Sequence, residues 1–335
     1  MQTVLVIGAG AIGGMLAAHL AFAGHAVSVV CRGAHLEAIR AQRGLRFSTP
    51  AGERLAPLAA YGSIESAPPA DTVLVTLKAY QWSGVLDALV ARARTARSFV
   101  PVHNGIPWWF FAGGAGEHAD RPVRAVDPDG RLLAALGPHA PLPGFATMAA
   151  EVVEPGRVHN PASPGDALRL GPLHADDAAR AERVVALFAA GTLPATLVDV
   201  RRFVWDKLLG NVWANPIGAL TGATIDACAR HPDTRELAIG LMRECDRVAA
   251  AWGVDTRLDV DARLGRSLAL RVNAKTSMTQ DVERGRPTER AAILGALIEL
   301  AELAGVDVPR VRAVNACIAL LEARTAAAVA AVGAP

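Results

Sequence analysis

The sequence predicts two fold classes in succession, an α/β domain with a doubly wound parallel sheet and then an all-α domain. Up to about residue 200, short apolar runs alternate with alanine-rich stretches, which is the pattern of buried parallel strands joined by helices. A glycine-rich run directly follows the first strand-like segment. From about Arg201 onward strand signals nearly vanish, and long segments carry apolar residues at helical spacing.

The predicted elements follow one another in a regular order. Continuous apolar, β-branched side chains predict strands at residues 4–7, 26–31, 72–77 and 99–103. Helical periodicity predicts helices at residues 11–23, 34–43, 234–252, 260–275 and 288–304. Because a chain of 335 residues exceeds what one core usually supports, we expect two domains, at 1–198 and 199–330.

Composition excludes several classes of partner. The formal net charge is +2 with acids and bases mixed, so we expect no nucleic acid partner. Apolar stretches break well before the roughly 20 residues of a membrane span, and the N-terminus lacks a signal pattern, so we expect no membrane association. The 9 histidines show no ligand spacing, which predicts no metal. Four cysteines without pairing or metal spacing predict reduced core residues in a cytoplasmic protein, namely Cys31, Cys228, Cys245 and Cys317.

The glycine-rich run predicts a dinucleotide site. Gly8-Ala9-Gly10-Ala11-Ile12-Gly13 lies between the first strand and the first helix, the context in which this spacing is specific. Gly8 permits the tight turn, Gly10 leaves room for a pyrophosphate, and Gly13 lets helix and strand pack closely. The amides of the first helical turn, at Ala11 and Ile12, can then hold phosphate charge. The first domain is therefore predicted to be Rossmann-like.

The end of the second strand favours NADP(H) over NAD(H). An enzyme specific for NAD usually has an acid there to bind the ribose hydroxyls, whereas this chain has Arg32 and no neighbouring acid. An arginine suits a 2′-phosphate. A solvated surface residue is the other interpretation of Arg32.

Two further strands end in polar residues. Carboxyl ends of parallel strands border the ligand crevice of such folds. Lys78 and Gln81 follow one strand and are candidate cofactor contacts, although a lysine there can also be a simple loop cation. Asn104 follows the next strand, where an amide could bind both the nicotinamide ribose and a substrate oxygen. Gly105 would let the backbone pass close to the ring.

The helical half contains a polar stripe. Lys207, Asn211 and Asn215 recur every four residues, so they share one helix face. Reduction of a ketone by hydride places negative charge on oxygen, and Lys207 can serve as the proton donor. The alternative is a solvated face, which the sparse charge around the stripe disfavours.

Two late segments have open interpretations. Thr288-Glu289 is typical of a helix start, with an acid in the first turn. Ser277 can likewise be a helix cap. Either residue can also contact a ligand, and local sequence does not decide between these roles.

These motifs together resemble the ketopantoate reductase family over roughly residues 2 to 310. The resemblance rests on GAGAIGG at 8–14, Arg32, TLKAYQ at 76–81, the asparagine of HNG at 103–105, PGRVHN at 155–160, KLLGNVWANP at 207–216, SMTQD at 277–281 and RPTE at 286–289.

The resemblance implies a function and residue roles. It implies a Rossmann domain that binds the dinucleotide, a helical substrate and catalytic domain, and a site in the cleft between them. NADPH would be bound by the glycine loop, Arg32, Lys78, Gln81 and Asn104. Lys207 would be the general acid, with Asn104 and Glu289 also catalytic. Asn211 and Asn215 would orient the substrate, Ser277 would bind its carboxylate and Glu289 its hydroxyl group.

The chain departs from the family pattern near the expected substrate entrance. His103 stands where the family usually has glutamine, and residues 108–111 are four consecutive aromatics. An apparent insertion follows through about residue 142. The aromatics could form an apolar lid that selects another acyl group, or could simply start a hydrophobic helix. The asparagine that the family places just before the serine is displaced or lost, with Asn273 the nearest candidate.

Three functions remain open from sequence. The first is NADPH-dependent reduction of a small 2-oxo acid, with 2-dehydropantoate (ketopantoate) the first candidate. The second is oxidation of a hydroxy acid, as in 3-hydroxyacid dehydrogenases, which share the Lys-x-x-x-Asn series. The third is an NADP-sensing protein without turnover. Apolar helical surface also suggests a homodimer.

Overall fold

The computed structural model describes residues 1–114, 116–270 and 273–332, which form two compact units. The first unit comprises Met1–His103, Phe111–Pro122 and Asp129–Val200. The second comprises Asn104–Phe110, Val123–Pro128 and the chain from Arg201 onward. The units are not continuous segments, whereas the predicted boundary after residue 198 makes each domain continuous. That boundary stays a prediction.

The first unit is built on a parallel five-stranded sheet. Its strands are β1 (Thr3–Ile7), β2 (Ala26–Val30), β5 (Ala59–Tyr61), β6 (Thr72–Val75) and β7 (Ser98–Pro101), in the order β5-β2-β1-β6-β7. Ile7 pairs with both Val30 and Val75, so these strands end level with one another. The residues that follow each strand therefore lie along one edge of the sheet.

Two smaller sheets complete this unit. One has the order β4-β3-β10-β9 and contains β3 (Gly44–Thr49), β4 (Gly52–Pro57), β9 (Glu151–Glu154) and β10 (Arg157–His159). The other has the order β12-β11-β8 and contains β8 (Gly144–Ala146), β11 (Leu168–Leu170) and β12 (Ala195–Leu197). The sequence did not predict either sheet, because most of these strands have only three or four residues.

Helices cover the central sheet. They are α1 (Ala11–Phe22), α2 (Gly33–Gln42), α3 (Leu86–Thr95), α4 (Arg131–Leu136) and α5 (Ala178–Leu187). α1 is buried from Gly13 to Ala21, since its small and apolar residues pack between the sheets. The gain from that burial is roughly 25 cal/mol for each Å² of apolar surface removed from water.

Within its described residues, the regular elements of the second unit are all helices, joined by turns. Its helices are α6 (Val200–Thr221, whose first residue belongs to the first unit), α7 (Ile225–Arg230), α8 (Pro232–Ala251), α9 (Val260–Leu270), α10 (Ser277–Glu283), a π-helical turn (Ala291–Gly295), α11 (Ala296–Leu303) and α12 (Pro309–Val332). The predicted fold class, a doubly wound parallel sheet followed by a helical domain, is confirmed.

Several predicted boundaries were too long. The strands predicted at 26–31, 72–77 and 99–103 end at Val30, Val75 and Pro101, because the chain then turns out of the sheet. The helix predicted at 260–275 ends at Leu270; residues 271 and 272 lie outside the described residues, and 273–276 are not helical. The helix predicted from 288 begins instead with the π-helical turn.

The cysteines only partly match their prediction as core residues. Cys228 and Cys245 are buried and Cys31 is half-buried, but Cys317 is exposed on α12. α12 presents its outer face to solvent there, as the 64% exposure of Leu320 also shows. All four are free thiols.

Candidate active site

The three motif glycines of the loop after β1 differ in the space around them: two have no room for a side chain and one does. Gly8 has φ +98°, which favours glycine, and Leu77 packs against the place of a Cβ. A Cβ at Gly13 would overlap the carbonyl oxygen of Gly8 and the hydroxyl of Thr76. A Cβ at Gly10 would meet nothing within 4 Å. Gly8 and Gly13 are therefore required by packing, whereas the space at Gly10 is left open.

That open space lies at the N-terminus of α1. Gly10 is the N-cap, no side chain caps the helix, and its first turn contains no acid. The Gly14 N–H donates to the Gly10 carbonyl at 2.7 Å, which starts the helix immediately after the loop. Backbone amides at such an end attract anions, and nothing at Gly10 blocks their approach. The loop fits the pyrophosphate of a dinucleotide.

Arg32 lies at the end of β2, beside this loop. It is exposed, and it is the N-cap of α2. Cys31 before it is half-buried, and burial raises its pKa to about 11, so the thiol stays uncharged. No acidic side chain occupies residues 29–35. The charge at this strand end is therefore that of Arg32.

Lys78 and Gln81 follow β6 in a short 3₁₀ turn. The Lys78 N–H donates to Oε1 of Gln81 at 2.8 Å, and the Gln81 N–H donates to the Lys78 carbonyl at 2.9 Å. Thr76 donates its hydroxyl to the carbonyl of Gly8 at 2.6 Å, which ties this segment to the glycine loop. These predicted cofactor residues thus share the sheet edge with Gly8, Gly10 and Arg32.

A turn remote in sequence supports the same loop. Val158 of the 155–160 segment packs on α1, where its Cγ2 would lie 2.8 Å from a Cβ at Gly14. The N–H of Gly156 donates to Nδ1 of His35 at 3.0 Å. The family resemblance includes this segment but assigns it no role. Its contacts here are with α1 and α2.

In the second unit, the polar stripe of α6 joins a hydrogen-bonded network. Asn211 donates from Nδ2 to Oδ1 of Asn104 at 2.7 Å, and Asn104 donates from Nδ2 to Oε2 of Glu289 at 3.2 Å. Lys207 and Asn211 are half-buried, and Glu289 is only 8% exposed. Residues predicted from three separate motifs are therefore in contact.

Asn215 continues the stripe one turn further along α6. It is 4% exposed, and within the described chain its Oδ1 has no hydrogen-bond partner. A buried amide oxygen without a partner costs free energy. This unused acceptor is suited to a ligand hydroxyl group.

Asn104 is held in place by the segment that follows it. Gly105 has φ +73°, and a Cβ there would overlap the carbonyl of Ala292. The Ile106 N–H donates to that same carbonyl at 2.8 Å. Ala292 belongs to the π-helical turn, a feature that often occurs at functional sites. The turn that follows Glu289 therefore also fixes the backbone next to Asn104.

Ser277 is the first residue of α10 and does not cap it. The cap is Thr276, whose hydroxyl accepts from the Thr279 N–H at 3.1 Å, so the interpretation of Ser277 as a cap was wrong. Ser277 is exposed and makes no side-chain hydrogen bond within the described residues. It is not joined to the Asn211–Asn104–Glu289 network. Asn273 is also exposed, and its N–H donates to Asp226.

The aromatic residues 108–111 are buried and do not start a helix. They lie in turns, and their exposures are only 2, 0, 7 and 6%. Phe110 packs edge-on against Trp205, with ring centroids 5.8 Å apart. The interpretation as a helix start is therefore wrong, because these residues lie in turns, while selection of an acyl group by the aromatic side chains stays a prediction.

Glu322 on α12 contacts both neighbours of Glu289, and the sequence did not indicate it. It accepts hydrogen bonds from Thr288 and from Arg290. A glutamate in an alanine-rich helix is indistinguishable in sequence from a surface residue. Arg290, directly after the RPTE motif, lies in a stretch of mixed acids and arginines and does not single out Glu322.

The described chain has no helix long and apolar enough to cross a bilayer. Within the same residues, no group of three or more His, Cys, Asp or Glu side chains is placed to hold a metal ion.

The chain is similar to known proteins along most of its length. Two family models match, Ketopantoate reductase PanE/ApbA at residues 4–173 and Ketopantoate reductase PanE/ApbA C terminal at residues 199–322. A 2-dehydropantoate 2-reductase of Mesorhizobium japonicum is 38% identical over 320 residues, which cover 94% of this chain and 96% of that protein.

Solved structures share the fold. A candidate ketopantoate reductase from Ralstonia solanacearum MolK2 aligns with a TM-score of 0.86 and 29% identity, covering 97% of this chain and 98% of that one. D-mandelate dehydrogenase, solved with NADH and anilino(oxo)acetate, aligns with a TM-score of 0.81, covering 96% of this chain and 99% of that one. At 18% identity the second likeness shows the fold alone.

The fold, the open glycine loop and these relatives define a nicotinamide-dinucleotide-dependent oxidoreductase acting on CH–OH groups. Within that class, the chain belongs to the ketopantoate reductase family.

Proposed function

We propose that this protein reduces a small 2-oxo acid to a 2-hydroxy acid with NADPH, and that the acid is 2-dehydropantoate. The observation that carries the proposal is the network Asn211–Asn104–Glu289 beside Lys207 on one unit. Family membership and the 38% identical 2-dehydropantoate 2-reductase support the same substrate.

Lys207 is the proposed general acid. A nicotinamide cofactor, when bound, supplies a hydride to the carbonyl carbon of the substrate. The electron pair of the C=O bond then moves to oxygen, and Lys207 donates a proton from Nζ to that oxygen. Its position on α6, one turn from Asn211, lets the ammonium also attract the 2-oxo acid before reduction.

The neighbouring polar residues orient the substrate in this proposal. Asn211 and Asn215 hold it through their amides, and the unpartnered Oδ1 of Asn215 supports that role. Ser277 binds the carboxylate and Glu289 accepts a hydrogen bond from the hydroxyl group. Asn104 donates to Glu289, which keeps that carboxylate fixed for the substrate.

NADPH is proposed over NADH because of Arg32. Its guanidinium lies at the end of β2 with no acid among residues 29–35 to repel a 2′-phosphate. Gly10, Ala11 and Ile12 would hold the pyrophosphate, and Lys78 and Gln81 lie at the same sheet edge. A cytoplasmic location and a homodimer also remain proposals.

The test measures the consumption of NADPH from its absorbance, first with 2-dehydropantoate and then with bulkier 2-oxo acids. Lys207→Ala should lower kcat by about 10²-fold or more, the scale of a general acid's contribution. Lys207→Arg keeps the charge but does not release a proton near neutral pH, so its kcat should stay low while substrate binding is retained. Turnover confined to a bulkier acid would change the substrate and keep the mechanism. NADPH binding without reduction of any acid would contradict the proposal and favour an NADP sensor.

A further inference from the structure

Glu322 on α12 binds the residues on both sides of Glu289. Its Oε1 accepts from the Thr288 N–H at 3.3 Å and from the Thr288 hydroxyl. Its Oε2 accepts from Nε of Arg290 at 2.7 Å. One carboxylate therefore fixes the backbone before Glu289 and the side chain after it.

This contact is partly shielded from solvent. Thr288 is 6% exposed, and the side chains of Arg290 and Glu322 are 28% and 23% exposed. Arg290 also donates from Nη1 to Oδ1 of Asn315 at 3.0 Å, on the same helix as Glu322. Partly buried, charge-assisted hydrogen bonds with two partners hold geometry better than an isolated surface pair.

The segment needs such support because its backbone is irregular. Residues 286–288 are outside any helix, and regular helical geometry is delayed by the π-helical turn after Arg290. Within this segment Glu289 must reach Asn104, whose Nδ2 lies 3.2 Å from Glu289 Oε2. A small change in the backbone at Glu289 would lengthen that hydrogen bond.

We infer that Glu322 is a positioning residue for the reduction: by holding Thr288 and Arg290 it keeps the Glu289 carboxylate against Asn104. The inference rests on the proposed function. Glu322 acts through Glu289 and has no proposed contact with substrate or cofactor. A purely structural role, in which Glu322 only anchors α12, is the competing explanation.

The test combines a conservative variant with a matched control. Glu322→Gln keeps the size and one acceptor for Thr288 but loses the charge that pairs with Arg290. Glu302→Gln makes the same change in the pair of Glu302 with Arg312, whose N···O distance is 2.9 Å and whose glutamate is 57% exposed. Steady-state kinetics with 2-dehydropantoate and NADPH, together with thermal unfolding, are measured for both variants.

We expect Glu322→Gln to lower kcat by about 10-fold to 100-fold, the cost of a small misplacement at a reacting centre. KM for NADPH and the unfolding midpoint should stay near wild type, as should all parameters of Glu302→Gln. In the Glu289→Gln background, adding Glu322→Gln should cause little further loss, because both changes affect the same group. Wild-type kcat in Glu322→Gln would overturn the inference, and so would a fully multiplicative loss in the double variant.

A second readout does not depend on turnover. In Glu322→Gln, hydrogen exchange should quicken in peptides covering residues 286–293 and 104–106, and not in peptides covering β1 or β2. If wild-type protein reduces no 2-oxo acid, the proposed function has failed, yet this exchange pattern still reports the coupling from Glu322 to Asn104. Unchanged exchange at 104–106 would overturn the coupling itself.

Discussion

Asn211 donates to Oδ1 of Asn104 at 2.7 Å, although 107 positions in the sequence separate the two residues. This bond fixes which end of the Asn104 amide faces which partner, because oxygen must accept and nitrogen must donate. Nδ2 of Asn104 is thereby directed to Glu289. The opposite orientation of the amide would place the Asn104 oxygen against the carboxylate, where two acceptors repel.

Asn211→Ala should therefore impair Asn104 as well as the substrate contact proposed for Asn211. We expect kcat for 2-oxo acid reduction to fall by about 10-fold or more, the upper range for loss of one hydrogen bond. Asn211→Asp keeps the size but cannot donate when ionised, so its kcat should fall in the same direction. Stopped-flow or steady-state rates check this, and a wild-type rate in Asn211→Asp would contradict it.

Substitutions at Gly10 and Gly13 should have different effects, the first on cofactor binding and the second on the free energy of unfolding. Gly10→Ala adds a methyl group to open space, so its free energy of unfolding should change by about 1 kcal/mol or less. Its affinity for NADPH should fall, because the methyl group occupies the space left for a pyrophosphate. Gly13→Ala overlaps the Gly8 carbonyl and should lose about 2 kcal/mol or more. Denaturant titration and NADPH fluorescence measure the two effects, and equal destabilisation by both would count against this account.

Arg32 should set the preference between the two cofactors. Arg32→Ala removes the guanidinium that we propose binds the 2′-phosphate, so KM for NADPH should rise by roughly 10-fold or more. KM for NADH should change little. Arg94→Ala, an exposed arginine on α3 of the same unit, is the control. An equal rise for NADH, or an equal effect of Arg94→Ala, would refute the assignment.

Gly105→Ala should disturb the segment that contains Asn104. Left-handed backbone costs an alanine about 1 kcal/mol, and the new methyl group also overlaps the Ala292 carbonyl. Gly24→Ala has the same kind of backbone, with φ +85° and nothing within 4 Å, and isolates the first effect. We expect Gly105→Ala to be the less stable of the two and to lose activity by about 10-fold or more. Comparable activities of the two variants would show that Asn104 tolerates the shift.

Acid should destabilise the first unit through His19. Burial, with a smaller contribution from Arg54, lowers the pKa of His19 from 6.5 to about 4. Between pH 6.5 and 4 the unfolded chain therefore binds a proton at His19 that the folded chain does not. The free energy of unfolding has no such loss above pH 6.5 and decreases as the pH falls through this range. The loss approaches roughly 3 kcal/mol near pH 4.

His19→Gln should flatten that decrease, measured by urea unfolding at several pH values. The variant loses the hydrogen bond between His19 and Thr192 at every pH, so its curve should be lower at neutral pH but less steep. His231→Gln, which changes an exposed histidine, should leave the slope unchanged. A wild-type slope in His19→Gln would assign the acid sensitivity to other groups.

Sequence periodicity was sufficient for the fold class but not for element ends or small sheets. Val4 to Ile7 and the long helices have many residues that share one pattern. β8 and β12 have three residues each and pair with β11, more than 20 positions away in sequence, which a local pattern does not contain. The π-helical turn likewise has a contact far away in sequence, since the carbonyl of Ala292 accepts from the N–H of Ile106.

In the candidate site too, local patterns could be predicted from the sequence and tertiary contacts could not. The stripe of α6 was found because helical spacing places Lys207, Asn211 and Asn215 on one face. Its contact with Asn104 and Glu289 is a tertiary relationship, which the sequence alone could give only through family resemblance. Glu322 lies beyond the motifs and resembles any exposed glutamate of a helix. The burial of the aromatic segment 108–111 could not be predicted, because hydrophobicity near an expected entrance does not distinguish a lid from buried core.

The second unit includes two short stretches, Asn104–Phe110 and Val123–Pro128, that precede most of it in sequence. They are bound by residues much later in the chain: Ala292 accepts from Ile106, and Glu299 accepts from the amides of Arg124 and Ala125 at 2.9 and 2.8 Å. During synthesis these stretches leave the ribosome long before their partners exist. The second unit therefore cannot be completed until α11 is made. In a fragment beginning at Arg201, the carbonyl of Ala292 and the carboxylate of Glu299 would lack these partners. Adding residues 104–128 as a separate peptide should restore the folding of such a fragment.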